Sequence, residues 1–394
     1  MSQGAAGSNL ELRYDQKHNA FGLLRVAFAV AIVVAHTWPI GFGDAAWGDG
    51  LFRNQVGLGL LSLYGLILVS GFLVVDSALR AGARRYPWRR IVRIAPGLWT
   101  CLLVTAFVLA PIVALKERGT LAGFLGPADG PFRYVGINAL GSMQQFPISG
   151  LLGSTPYGRL QGGPSAFDGS LWSLQYELGC YVVVGALLAF GWLRRSSTLV
   201  LVLLGAAWLL IVRDHVDTGL LAIRPLTRGA IGPIPLLGTY VWGFTLELGY
   251  VFLLGAAFRL HAHRIPIRPE LVAVAVAVLV VTAFRGLFTL VGVPAYAYVL
   301  LHVATTPRGR VTEIGRRHDY SYGVYLYGFP VQQVVALFGG ADLGFGPYLA
   351  ICLVLTFGLA HLSWTLVERP AMRWRERPPA LRRTRPLAIE PEPS

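Results

Sequence analysis

Arg25 and His36 stand eleven residues apart in one apolar run, residues 21–40. At 100° per residue that spacing leaves about 20° of offset, so both face the same way, about 16 Å apart along the axis. A charged side chain in a spanning helix costs at least about 2.5 kcal/mol, which makes each one a functional-site candidate. A histidine is also the ordinary general base near neutral pH. The competing reading is a snorkelling arginine with an interfacial histidine next to Trp38. Further on, Ser170 and Glu177 are seven apart and share a face at the opening of another apolar run. Glu177 is expected about 10 Å below the outer surface, near the depth of His36, where it could orient the imidazole. Satisfaction by an unrelated donor in the bundle is the competing reading. Arg90 and Arg93 are one helical turn apart and project together; paired guanidiniums suit phosphates. Their competing reading is plain topological charge.

These residues need a membrane scaffold to hold them. Of 394 residues, 54% are hydrophobic and 14% charged, too few charges to cover a water-facing surface. A spanning helix takes about 20 mostly apolar residues. Ten runs meet that pattern, near 21–40, 56–79, 94–115, 169–192, 198–213, 234–258, 270–284, 286–304, 320–338 and 346–367. The seventh and eighth abut at Arg285 and read as a tight helical hairpin. With the N-terminus cytoplasmic, 24 of the 34 lysines and arginines fall on the cytoplasmic side, which satisfies the positive-inside rule for all ten helices. The expected fold is therefore an all-α polytopic transmembrane bundle of about ten helices with both termini cytoplasmic. The net charge of +14 is read as topology, and nucleic acid is set aside as a partner.

The first 20 residues are polar, with no cleavable signal peptide visible, so the first apolar run would serve as an uncleaved anchor. The long connection 116–168 is placed outside; its moderately apolar piece, Tyr134 to Ile148, is expected to be re-entrant or to lie against the bundle. Residues 1–370 read as a single transmembrane domain and 371–394 as a disordered cytoplasmic tail, rich in arginine and proline. Cys101, Cys180 and Cys352 each sit in an apolar run as packing residues. No metal-ligand spacing, Walker loop, dinucleotide fingerprint or Gly-x-Ser-x-Gly elbow is present, so neither a metal nor a nucleotide cofactor is expected on those grounds.

Taken in order, six segments resemble the acyltransferase-3 family of integral-membrane acyltransferases. Phe21-Gly-Leu-Leu-Arg25 and then His36 is similar to its R-x10-H signature. Val69-Ser-Gly-Phe-Leu73 resembles its helix-two motif, and Arg90-Ile-Val-Arg93-Ile-Ala-Pro96 its R-x-x-R motif. Gly169-Ser-Leu-Trp-Ser-Leu-Gln-Tyr-Glu177 resembles its helix-four block. Tyr320-Ser-Tyr-Gly-Val-Tyr-Leu-Tyr resembles its late tyrosine motif, and Leu366-Val-Glu-Arg-Pro370 its closing one. One departure matters. Many members carry a histidine after the tyrosine motif, where this chain has Gly328.

The resemblance implies acyl-CoA, acetyl-CoA first, as co-substrate taken from the cytoplasm, and a hydroxyl acceptor outside, such as a surface or lipid-linked glycan. It implies a multi-pass protein of the inner membrane, with the lipid bilayer as its surroundings. On this reading Arg90, Arg93 and Ser70 bind acyl-CoA, and His36, Glu177 and Arg25 are catalytic. Ser170 and Trp172 lie on the acceptor side. His36 would act as general base on the acceptor hydroxyl or as a transient acyl carrier. A lipid-linked glycan flippase or transporter is the alternative, with Arg25, His36 and Glu177 along a substrate or proton path. Thiol release from acetyl-CoA separates the two. A membrane scaffold is a third reading, which leaves the intramembrane charges unexplained.

Overall fold

The computed structural model describes residues 9–48, 50, 52–219, 229–306, 309–315 and 318–376. Each expected apolar run lies on a helix: α1 Phe21–Phe42, α2 Leu58–Ala81, α3 Tyr86–Arg118, α5 Gly169–Ala189, α6 Ser197–Thr218, α7 Trp242–Leu260, α8 Pro269–Arg285, α9 Phe288–Thr305, α10 Ser321–Leu337 and α11 Phe345–Met372. A short helix, α4, covers Pro131–Asn138. Among the described residues, eight of these helices are long and apolar enough to cross a membrane. The other two, α8 and α10, have 17 residues each. At 1.5 Å per residue they reach about 25 Å, short of the roughly 30 Å hydrocarbon layer. Exposed apolar side chains such as Val202, Leu209, Val281, Val354 and Leu366 face outward, as a lipid-facing surface requires.

The centre of the bundle is α2, packed against α1 on one side and α7 on the other. Small residues let α2 and α7 approach closely. A Cβ on Gly71 would overlap the Phe252 carbonyl oxygen, and one on Gly255 the Leu68 carbonyl oxygen. Backbone contact of this kind is how helices associate where lipid is as apolar as leucine. It also gives Gly71, inside the helix-two motif, a packing reason. The chain turns from α8 into α9 within two residues, Gly286 and Leu287, both at positive φ, so the expected hairpin forms.

One stretch differs from the sequence expectation. Helix α7 begins at Trp242, not at 234; residues Ala230–Ile234 and Gly238–Val241 instead form a two-stranded antiparallel ribbon, β1 and β2. Pro233, Pro235 and three glycines in 229–238 explain this, because prolines lack the N–H that a helix interior needs and the glycines take positive φ. The 116–168 connection folds onto the bundle. Helix α4 packs on α3, Trp99 donates to the Ala139 carbonyl at 2.8 Å, and the fully buried Tyr134 hydroxyl donates to the Asp168 carboxylate.

Helix α11 runs on to Met372, past the expected start of the tail. Residues after it return to the start of α3: Trp88 donates to the Trp374 carbonyl at 2.8 Å and Arg89 pairs with Glu376 at 2.7 Å. The remainder of the expected tail, 377–394, lies outside the described residues.

Candidate active site

Five helices bring charge to one end of the bundle. Asp319, just before α10, receives Arg25 of α1 at 3.1 Å and Arg93 of α3 at 2.7 Å. Its second oxygen accepts from Ser321 at 2.5 Å. Arg93 also reaches Glu368 of α11 at 3.3 Å, and Ser363 donates to that carboxylate at 2.9 Å. The Tyr322 ring lies under the Arg93 guanidinium at 5.4 Å. Both carboxylates are buried, so each needs its partners. Burial pushes Asp319 up, but the Arg25 and Arg93 guanidiniums overcome it and hold the carboxyl below its ordinary value. Nearby, the buried Asp76 of α2 is held by Arg80 and, at 2.8 Å, by Arg259 of α7.

Three cavities run in series from this end. The first, of about 390 Å³, is basic and is entered between the segment before α1 and the residues after α11: Lys17, Arg80, Arg89 and Arg375 line it. The segments leading into α1 and out of α11 therefore meet at one end of the bundle. Arg25, Arg90, Arg93 and Leu73 also line the second, smaller cavity of about 140 Å³, so they form the collar between the two. Ser70 and Glu177 lie in this middle cavity. Ser70 donates to Glu177 at 2.5 Å, and Tyr181 donates to the same oxygen at 2.5 Å. Arg90 donates to Ser77 at 3.2 Å and stands over the Tyr181 and Tyr86 rings.

The third cavity, of about 330 Å³, holds His36, Ser170 and Trp172 together with Gln55 and Phe244. The His36 ring lies edge-on to Phe329 at 5.2 Å and makes no hydrogen bond among the described residues. Leu63, Ser173 and Tyr325 line both this cavity and the middle one. There the Ser173 and Tyr325 hydroxyls share a 2.7 Å hydrogen bond, and the Tyr325 hydroxyl also reaches the Ser170 carbonyl.

Every catalytic, donor-binding or acceptor-side candidate from the sequence thus lines one of the three cavities, but the groupings differ from those expected. Arg25 and His36 lie at opposite ends of the series, as their spacing implies. Glu177 does not meet His36: it lies in the middle cavity, bonded to Ser70 and Tyr181. The reason is the start of α5. Asp168 is fully buried beneath the 116–168 connection, so the helix begins inside the protein and every residue after it sits deeper. Arg90 and Arg93 share a face but have different surroundings, Arg93 between two carboxylates and Arg90 among aromatic rings.

From the sequence, Asp319, Glu368, Asp76 and Tyr325 carry no assigned role, although Tyr325 and Glu368 lie within the tyrosine and closing motifs. The signal for Asp76 was present, since it is a carboxylate inside an apolar run. Gly328 has a structural account: a Cβ there would come 2.6 Å from Val33, leaving no room for a larger side chain. Among the described residues no three His, Cys, Asp or Glu side chains gather as a metal site.

The acyltransferase-3 family model, described as an acyltransferase domain, matches residues 18–365, which supply most of the lining of the three cavities. An O-acetyl transferase of Shigella phage Sf6 is 25% identical over 368 residues, 90% of this chain and 96% of the relative. Nodulation protein 10 of Rhizobium leguminosarum bv. viciae is 26% identical over 379 residues, 91% of this chain and 94% of the relative. No solved structure matches the chain. With six motifs in order, a family match over most of its length and relatives aligned nearly end to end, this chain belongs to the acyltransferase-3 family and is an O-acyltransferase.

Proposed function

We propose that the enzyme takes an acyl group, acetyl first, from cytoplasmic acyl-CoA and transfers it to a hydroxyl of an extracytoplasmic acceptor, a surface or lipid-linked glycan. The observation that carries this reading is the series of cavities along α1, basic at Arg25 and opening on His36 at the other end. Phosphates of the donor would rest among the arginines, and its uncharged arm would follow the middle cavity past Ser70 and Glu177. The span from Arg25 to His36 is about 16 Å along the helix. In this arrangement residues 1–370 act as one domain of ten helices in the inner membrane, with both termini cytoplasmic. The basic end carries the arginine clusters, in keeping with the positive-inside rule. The name of the phage relative supports acetyl as the transferred group.

In the chemical step, a neutral imidazole nitrogen of His36 takes the proton of the acceptor hydroxyl as its oxygen forms a bond to the thioester carbonyl carbon. The carbon–sulfur bond then breaks, and the thiolate leaves with the proton returned from His36. In the carrier variant the nitrogen itself bonds the carbonyl carbon, the thiol departs, and the acceptor oxygen later displaces the imidazole. With no hydrogen-bonded partner among the described residues, the ring is available for either part. Ser170 and Trp172 would face the acceptor, and no metal takes part.

The test uses purified protein in sealed vesicles with labelled acetyl-CoA on one side and a glycan acceptor on the other. Thiol release that requires donor at the basic face and acceptor at the opposite face is the expected result. Movement of acceptor without thiol release would favour the transport alternative, for which the cavities offer no separate support.

A further inference from the structure

The basic cavity contains more hydrogen-bond donors than acceptors to meet them. Five buried N–H groups on residues that line it have no acceptor among the described residues: the Nε of Arg25, Arg89, Arg90 and Arg375, and the indole nitrogen of Trp364. In three of these arginines a terminal nitrogen is already engaged: Arg25 with Asp319, Arg89 with Glu376, and Arg90 with Ser77. The carboxylates on the cavity wall, Asp76 and Asp319, are each held by two arginines and cannot serve the free donors. Arg93 is likewise committed, to Asp319 and Glu368.

Such a donor set fits an anion with several oxygens. The Nε edge of a guanidinium, with its neighbouring terminal nitrogen, takes a phosphate bidentately. A buried donor without a partner is destabilising, so a cluster of them around a cavity calls for an acceptor from outside the protein. Arg375 supports this from another direction. Burial, and then the neighbouring guanidiniums of Arg90 and Arg89, push its pKa down, a strain that an anion would relieve.

We propose that Trp364, in the last helix, and Arg375, just after it, complete a phosphate-binding site with Arg89 and Arg90, and that it takes the pyrophosphate-type anion of a soluble donor. The Glu376 carboxylate on Arg89 stands where one oxygen of that anion would bind. The assignment to a donor rests on the proposed use of acyl-CoA and deepens it; the anion site itself does not. It also divides the R-x-x-R pair: Arg90 faces the anion, whereas Arg93 fixes the bundle.

Binding of inorganic pyrophosphate to the purified full-length protein in a neutral detergent tests the site, with Arg375→Gln, Trp364→Phe and the exposed neighbour Arg373→Gln compared. Arg375→Gln is expected to weaken pyrophosphate about tenfold, the loss of one charge-assisted contact, and Arg373→Gln to bind as wild type. The ratio of acetyl-CoA to acetyl-pantetheine kcat/KM should fall by the same factor in Arg375→Gln. Arg375→Lys, which keeps the charge without the fork, should recover part of the binding, and thermal unfolding identifies a variant that is merely misfolded. Equal pyrophosphate binding by wild type and Arg375→Gln would overturn the site. So would displacement by phosphatidylglycerol with no binding of pyrophosphate, which would give the donors to a lipid headgroup. Arg375-dependent pyrophosphate binding without turnover of acetyl-CoA would leave the site standing and remove the donor reading. Turnover with a ratio indifferent to Arg375 would do the reverse.

Discussion

Arg93 and Asp319 meet at 2.7 Å beneath the start of α10, while Arg90, one turn earlier on the same helix, touches no carboxylate among the described residues. The same face of one helix therefore carries one guanidinium paired with carboxylates and one that is not, and substitutions of the two should separate cleanly.

Arg93→Ala leaves Asp319 with one cation and Glu368 with none, both buried. Loss of about 3–5 kcal/mol is expected, the range for breaking a buried pair by removing one partner. Arg90→Ala should change stability little and raise the KM for acyl-CoA. Thermal unfolding in detergent beside initial-rate kinetics checks both, and a stable Arg93→Ala protein with raised KM would reverse the assignment.

Asp319 should shape the acid side of the stability profile. Its carboxyl is held below the ordinary value of 3.8, despite burial, by Arg25 and Arg93. A group with a lowered folded-state pKa contributes stability that is complete above its unfolded value and is lost as pH falls through the folded one. Melting temperature should therefore fall below about pH 4, and Asp319→Asn, less stable at neutral pH, should show a shallower acid fall. An unchanged acid limb in that variant would count against the ion-pair account.

His36→Ala should abolish transfer, with a loss of at least about 10²-fold for a missing general base, while donor binding at the other end stays intact. Because the ring has no hydrogen-bonded partner, no buried polar group is orphaned and the melting temperature should hold. Acid-quenched protein incubated with labelled acetyl-CoA and no acceptor distinguishes the variants of the step: retained label means carrier, none means base.

Tyr325→Phe removes the hydroxyl shared with Ser173 and the Ser170 carbonyl at the junction of two cavities. About 1–3 kcal/mol of stability should go with it, since partners in a buried site are left unpaired. Tyr325→Ala should in addition widen the junction and shift preference from acetyl-CoA toward longer acyl-CoA, read as a ratio of kcat/KM values.

Much of the scaffold was legible because membrane helices announce themselves by length and apolarity alone. The stretch 234–241 reads as helix from the sequence because its apolar residues satisfy a hydropathy window, while the prolines and glycines in and just before it refuse one. The face shared by Arg25 and His36 was legible from helical periodicity, a local property. What periodicity cannot give is the partner across the bundle. Asp319 and Glu368 claim Arg93 through helices far along the chain, and Ser70 claims Glu177 because Asp168 starts its helix indoors. Depth within a bundle depends on where loops fold, and no window of sequence records that.

The junction at Ser173 and Tyr325 has an electrical consequence. A membrane stores energy as a capacitor, with about 2.3 kcal/mol for each charge moved across 100 mV. Spaces open to water from both faces would short it unless something insulates them, and here the polar closure is one hydroxyl pair beside Leu63. Such a seal passes a neutral chain far more readily than an ion. On the proposed donor path, the arginine-lined vestibule and the histidine chamber would then also act as a filter, keeping the charged part of a substrate behind and passing only its uncharged end.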